Sequence, residues 1–260
     1  MGIIRTQKML RQFQVTNMGP GTDEAGGGGG GGFFGGGFSN TKCLELNGTD
    51  EYLTANGVCA DIAGNVYSVS GWIKTTTTAK SYFLSFNDSS YGNRVQVGLD
   101  SGYVYLYVSS DVTTTTLVAD NTWKHIVLTV DHGATQAKVY VNGLSVINHG
   151  TSLDMRASDL FTIGAEWDAG PAASDFYAGK IDEVSCWNTT LTQAEVTELY
   201  NGGSSMDLSS HSKAANLKGW WRMGDDGSSN PASSIVDQTA NSNNATPVNM
   251  AASNVITDGP

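Results

Sequence analysis

The sequence predicts an all-β fold: an antiparallel β-sandwich with one short helix and an extended N-terminal arm. Three observations carry this reading. From Thr41 onward, apolar residues fall in short alternating runs parted by turn residues, the pattern of strands with one buried face. Asn142-Gly143 stands between two such runs, and this dipeptide accepts the positive φ angles of a hairpin's type I′ turn. With 32 Gly in 260 residues and only 15% charged residues, the composition suits a turn-rich sheet protein and disfavours a helical bundle.

The elements follow in order. Val66, Ser68, Ser70, Trp72 and Lys74 form one face of a strand, and Tyr67, Val69, Gly71 and Ile73 form the other. Val95, Val97 and Leu99 lead through Asp100, Ser101 and Gly102 to a return strand, where Val104, Leu106 and Val108 alternate with Tyr103, Tyr105 and Tyr107. Ile126, Leu128 and Val130 share a face of the next strand, and the Asn142-Gly143 hairpin follows. Thr192 and Glu195 have the spacing of a capping box, so a helix should start there, bury Val196, Leu199 and Tyr200, and end at Gly202. Trp72, Trp123 and Trp187 are the expected bulk of the sandwich core.

The N-terminal region is different. Residues 1–18 show no convincing period, and glycine fills positions 26–37 except at Phe33 and Phe34. Such a run has maximal backbone entropy, and it holds one shape only against contacts that offset the ordering cost. Residues 1–40 are therefore expected to be an anchoring arm clamped by neighbouring chains through Ile3, Ile4, Phe13, Phe33, Phe34 and Phe38. The sandwich is expected over 41–260, with its core at 41–202 and a C-terminal extension, 203–260, completing or extending a sheet.

A net charge of −11 argues against a nucleic-acid partner, which requires clustered Lys and Arg to neutralise phosphates. No apolar stretch reaches the ~18 residues of a membrane span, and no export signal is readable, so assembly in a cytosol is the expectation. Cys43, Cys59 and Cys186 lack both disulfide and zinc spacing and read as buried apolar residues.

Five blocks carry a family resemblance: LELNGTDEYL at 44–53, VSGWI at 69–73, WKHI at 123–126 with VYVNG at 139–143, FTIG at 161–164, and GKIDEV at 179–184 running through Trp187 into the helix. In order and spacing they resemble the laminin-G-like, concanavalin-A-like lectin/glucanase superfamily, in its pentraxin-like branch. The resemblance implies a jelly-roll sandwich. It implies little about function, because this fold hosts lectins, adhesion modules, hydrolases and structural proteins alike. The segment 217–225 resembles the stretch that usually precedes the first block, yet here it follows the last. A poly-Gly arm directly before such a domain also resembles virion proteins of tailed bacteriophages.

Catalysis is disfavoured. Glucanases of this fold resemble one another in an ExDxxE strand, whose retaining carboxylates must approach to about 5 Å. Here Glu166-Trp167-Asp168 supplies only half of that motif, and Asp182 and Glu183, as neighbours on a strand, should point to opposite faces. The four His residues lie near no recognisable nucleophile. Calcium is the one cofactor the family resemblance brings into view, with Asp50, Asp168, Asp175 and Asp182 as oxygen ligands, although none forms a spaced motif and no cofactor is required. Tyr91, Trp167 and Tyr177 are candidate stacking platforms for a glycan. The resulting expectation is a non-enzymatic phage virion surface protein, a capsid decoration or a head or tail appendage, assembled in the host cytoplasm. Its partners would be major capsid or tail proteins, copies of itself and host-surface glycans, without membrane insertion. A free carbohydrate-binding module is the alternative, ahead of a glycan hydrolase.

Overall fold

The computed structural model describes residues 38–88, 90, 94–167, 172–225 and 230–260. Of the predicted arm anchors only Phe38 is among them; Ile3, Ile4, Phe13, Phe33 and Phe34 lie outside the described residues.

The described chain is a sandwich of two antiparallel sheets. Its strands are β1 (Cys43–Asn47), β2 (Tyr52–Thr54), β3 (Val66–Lys74), β4 (Ser81–Asn87), β5 (Arg94–Asp100), β6 (Tyr103–Val108), β7 (Asp111–Leu117), β8 (Lys124–Asp131) and β9 (Gln136–Val141). Then come β10 (Leu144–His149), β11 (Leu160–Ile163), β12 (Glu166–Trp167), β13 (Ala173–Ser174), β14 (Ala178–Trp187), β15 (Leu217–Trp221), β16 (Thr246–Val248) and β17 (Val255–Ile256). One sheet runs β10-β9-β8-β3-β14-β1-β17, with β15 also on β14, and the other runs β16-β2-β11-β4-β5-β6-β7. Strands β12 and β13 form a separate small hairpin.

The inner faces interdigitate as the alternation predicts. Tyr67, Val69 and Ile73 of β3 pack with Val95, Val97 and Leu99 of β5 and Val104, Leu106 and Val108 of β6, all fully or nearly fully buried. Each such side chain contributes about 1.5–3 kcal/mol on burial. Asn142 and Gly143 take φ of 51° and 79°, and Ser101 and Gly102 take 54° and 86°, so both predicted hairpins turn as expected. Gly98 is required by packing: a Cβ there would stand 2.0 Å from the Ser81 carbonyl oxygen.

The tryptophans depart from expectation. Trp221 fills the inter-sheet core, whereas Trp187 and Trp220 belong to a second cluster on the far side of the first sheet, with Val127, Tyr140, Leu191, Val196, Leu199 and Leu208. Trp72 also faces that side, tilted against His125 and stacked with Tyr200, and Trp123 is only half-buried. The cause is helix α2 (Gln193–Tyr200), which lies on the outer face of this sheet and makes it a second buried layer. Its capping box is present, with Glu195 N donating to Thr192 Oγ1 and Thr192 N donating to Glu195 Oε2. Asn201, at φ 48°, ends the helix one residue ahead of the predicted Gly202. The chain also makes a single helical turn, α1 (Val58–Asp61), absent from the expectation.

Two predictions follow from this packing. Gly98→Ala should cost about 1–3 kcal/mol by overpacking, read as a lower denaturation midpoint at unchanged m-value. His125 lies 2% exposed, its Nδ1 has no partner among the described residues, and burial holds its pKa down to about 3. The unfolded chain therefore takes up a proton below pH ~6.5 that the fold refuses, so this residue's contribution falls as pH drops. Relative to His125→Phe, the native protein should lose about 2 kcal/mol between pH 6.5 and pH 5, measured by denaturation at each pH.

Candidate glycan-binding face

The period-2 alternation that sends valines and leucines inward sends a different set to the outer face of the second sheet. Strand β5 contributes Arg94 and Gln96 there, β6 contributes Tyr103, Tyr105 and Tyr107, β7 contributes Asp111 and Thr113, and β4 contributes Ser85 and Asn87. Cross-strand register places Gln96 between Ser85 and Tyr107.

Two polar-aromatic groups result. In the first, the Arg94 guanidinium lies 4.6 Å from the centre of the Tyr107 ring, and its Nη2 donates to the Tyr107 hydroxyl at 3.3 Å. Gln96 Nε2 donates to Glu166 Oε2 at 2.8 Å, Ser174 Oγ donates to Glu166 Oε1 at 2.7 Å, and Arg94 Nη1 stands 3.8 Å from the same carboxylate. Gln96 Oε1 is buried and has no donor among the described protein atoms. In the second group, Lys80 Nζ lies 4.7 Å from the Tyr105 ring, and the Tyr105 hydroxyl donates to Asp111. Burial, reinforced by Asp111, pushes the Tyr105 hydroxyl up, so it remains a donor.

The β12–β13 hairpin folds over one side of this face. Asn87 Nδ2 donates to the Trp167 carbonyl at 2.7 Å, and Trp167 Nε1 donates to Thr162 Oγ1 at 2.9 Å. The Trp167 ring meets Tyr52 edge-on at 6.1 Å and stays half-buried at the rim of this face. Clefts also open elsewhere. One of about 460 Å³ is bounded by Glu45, Asn47, Glu51 and Asn254 without an aromatic wall. Another, of about 370 Å³, borders Trp220, which is only 7% exposed. Neither combines an accessible ring with fixed donors as the tyrosine face does.

The expected site residues are thus dispersed. Trp167 is on the face, while Tyr91 and Asp168 lie outside the described residues. Tyr177 must be corrected: it is fully buried against Phe83 in the core, its hydroxyl on the Lys180 carbonyl, and offers no platform. Asp50 is exposed and engaged in a turn with Asn47, and Asp175 stands within electrostatic reach of Lys80, an adverse neighbour for a cation. Asp182 is likewise corrected as a calcium ligand. It is fully buried, its Oδ2 accepts from Asn40 Nδ2 at 2.8 Å, and its Oδ1 accepts from Glu183 N at 2.8 Å. Among the described residues no group of three or more His, Cys, Asp or Glu is placed to hold a metal. Arg94, Gln96 and Tyr107 were not singled out from the sequence; the signal that finds them is the outward half of the alternation in β5 and β6.

Residues 47–197, more than half of the chain, match the family model of the concanavalin A-like lectin/glucanases superfamily, and the chain belongs to that superfamily. A search of curated protein sequences finds no significant match. Among solved structures, the chain is similar to a putative carbohydrate binding protein from Bacteroides ovatus, with TM-score 0.60 and 16% identity over 85% of this chain and 60% of that one. The chain therefore spans less than two thirds of that protein's length. It is also similar to the Ruminococcus gnavus sialidase module CBM40 bound to α2,3-sialyllactose, with TM-score 0.51 and 16% identity over 61% of this chain and 96% of that one. A heptameric pentraxin from Limulus polyphemus matches with TM-score 0.50 and 15% identity over 62% and 82% of the two chains. At these identities the likeness is one of fold.

Proposed function

We propose that this chain is a non-catalytic glycan-binding protein that presents the Arg94–Gln96–Tyr107 face to carbohydrate and is displayed on a bacteriophage virion by its N-terminal arm. The observation that carries the glycan reading is that face: the partly exposed Arg94 guanidinium and Tyr107 hydroxyl, underlain by the buried Gln96–Glu166 pair, with Trp167 at the rim. Sugars are bound by such pairings of ring stacking and directed hydrogen bonds. The carbohydrate-binding names of the Bacteroides and Ruminococcus neighbours favour the same class of ligand.

A binding role is favoured over hydrolysis because, among the described residues, the candidate carboxylates Glu166, Asp182 and Glu183 are occupied or shut away. Glu166 is held by Gln96 and Ser174, and Asp182 and Glu183 are 0% and 4% exposed, out of reach of a polysaccharide. The virion reading rests on the resemblance of the arm to phage proteins. Capsid or tail proteins would grip residues 1–40, and copies of the sandwich would project outward.

The test is an array of neutral and sialylated glycans probed with the full chain, with and without calcium. A retained glycan should bind at least tenfold more weakly to Arg94→Ala and to Tyr107→Ala, a loss of about 1.4 kcal/mol or more, and equally well to Lys138→Ala on the other sheet. Silence across the array would remove the glycan reading. For the arm, antibody labelling of intact particles from the source phage should place the sandwich on the particle exterior, and absence of the chain from purified particles would remove the virion reading.

A further inference from the structure

The tail and the start of the sandwich meet at one point in the first sheet. Strand β14 pairs along one edge with β3. Along its other edge, β1 covers Ala178 to Ile181 and β15 covers Val184 to Trp187, both antiparallel to β14. β15 and β1 therefore lie end to end and run in the same direction, a composite strand with a break opposite Asp182 and Glu183. At that point β14 bulges: Asp182 pairs with Trp72 and Ser185 with Ser70, so Glu183 and Val184 share the single partner position of Gly71. Glu183 takes φ 48°. The bulge turns its side chain to the outer face, beside Asp182, in place of the opposite face that a regular strand would give.

The root of the N-terminal arm is tied down in this break. Asn40 Nδ2 donates to Asp182 Oδ2 at 2.8 Å and to Ser205 Oγ at 2.9 Å. The backbone amides of Thr41 and Lys42 donate to Asp225 Oδ2 at 2.9 and 2.7 Å. Arg222 donates through Nη2 to the Ser39 carbonyl and through Nε to Glu183 at 3.1 Å, and Trp220 Nε1 donates to the same Glu183 carboxylate. Phe38 stacks on Trp220 at 6.3 Å with the Arg222 guanidinium 4.4 Å from its ring. The far end of the chain joins in, with Gly259 N donating to the Thr41 carbonyl at 3.1 Å and Ser205 Oγ to the Pro260 carbonyl at 3.2 Å.

We propose that this break is a proton-dependent latch: residues 38–42 stay fastened while the Asp182–Glu183 pair carries protons, and they loosen as the pair ionises. Fully ionised, the site holds three carboxylates, Asp182, Glu183 and Asp225, against Arg222 and Lys42, with two of the carboxylates adjacent and buried. Burial raises Asp182 well above the ordinary carboxylate range, with the Glu183 charge adding to it, and burial pushes Glu183 up to about 7 against the pull of Arg222 and Trp220. Two neighbouring groups are held outside this window. Cys43, near Asp182, Asp258 and Lys180, is pushed up to about 12, and His125, behind Trp72, is held down to about 3. Because the fastened state binds protons more tightly than an open one, opening is suppressed at acid pH and grows as pH rises towards 7.

Amide hydrogen exchange on the full chain tests this, with rates divided by the intrinsic rate at each pH. Protection at Thr41 and Lys42 should fall by about a hundredfold between pH 4.5 and pH 7.5, while amides of β3 keep theirs. Glu183→Gln and Asp182→Asn, each of which removes one titrating carboxyl from the pair, should each flatten part of that dependence. A pH-independent protection of Thr41 and Lys42 in the native chain overturns the latch whatever the variants do, and so does an unchanged pH profile in a folded Glu183→Gln protein.

Discussion

The constraint on which the rest of the structure depends is the pairing of β14 on both edges. Its ten residues hold β3 on one side and the composite of β1 and β15 on the other, so the start, middle and end of the described chain are registered on one strand. A strand buried between two neighbours has every backbone donor and acceptor at stake, and it tolerates irregularity only where something else satisfies the freed groups. The bulge at Asp182 and Glu183 is that irregularity, and the root of the arm, the turn after β15 and the C-terminal residues converge on it.

This arrangement explains why the outer face of the first sheet carries serines and tryptophans together. Ser70 and Ser185 share a hydrogen bond at 2.7 Å, and Ser68 both donates to the Thr189 carbonyl and accepts from Leu191 N. These small polar residues let helix α2 approach closely while their hydroxyls remain satisfied, and Trp187 fills what space is left. Among the described residues no helix lies across β5, β6 and β7 of the second sheet. At one rim of its outer face the Arg94 guanidinium and the Tyr107 ring are partly exposed, above the buried Gln96 and Tyr105.

Much of the fold was legible because the physics that sets it is local. Alternation put Tyr67, Val69 and Ile73 on one face of their strand, Asn142-Gly143 fixed a turn, and Thr192 with Glu195 fixed a helix start. The tryptophans were misassigned because local pattern says that a side chain is buried without saying in which layer; α2 creates the second layer from residues more than a hundred positions after Trp72. Adjacent carboxylates on a strand read as opposed, and only a bulge, set by long-range register with β3, turns Asp182 and Glu183 to one side. Tyr177, expected as a stacking platform, enters the core at the head of β14. The tyrosine face was half-visible, in the alternation of Tyr103, Tyr105 and Tyr107, while the convergence of Arg94, Gln96 and Glu166 needs β12 folded over β4.

Membership in the concanavalin A-like lectin/glucanases superfamily places this chain among sandwiches that serve many ends, and the proposed glycan reading rests on the outer face of its second sheet. The most direct measurement is backbone amide chemical-shift mapping of the isotopically labelled full chain during titration with a glycan retained on the array. The account predicts shifts gathered on β5, β6, β7 and the β12–β13 hairpin, saturating together with one affinity. Shifts gathered instead on the first sheet, helix α2 or the cleft beside Trp220 would contradict it.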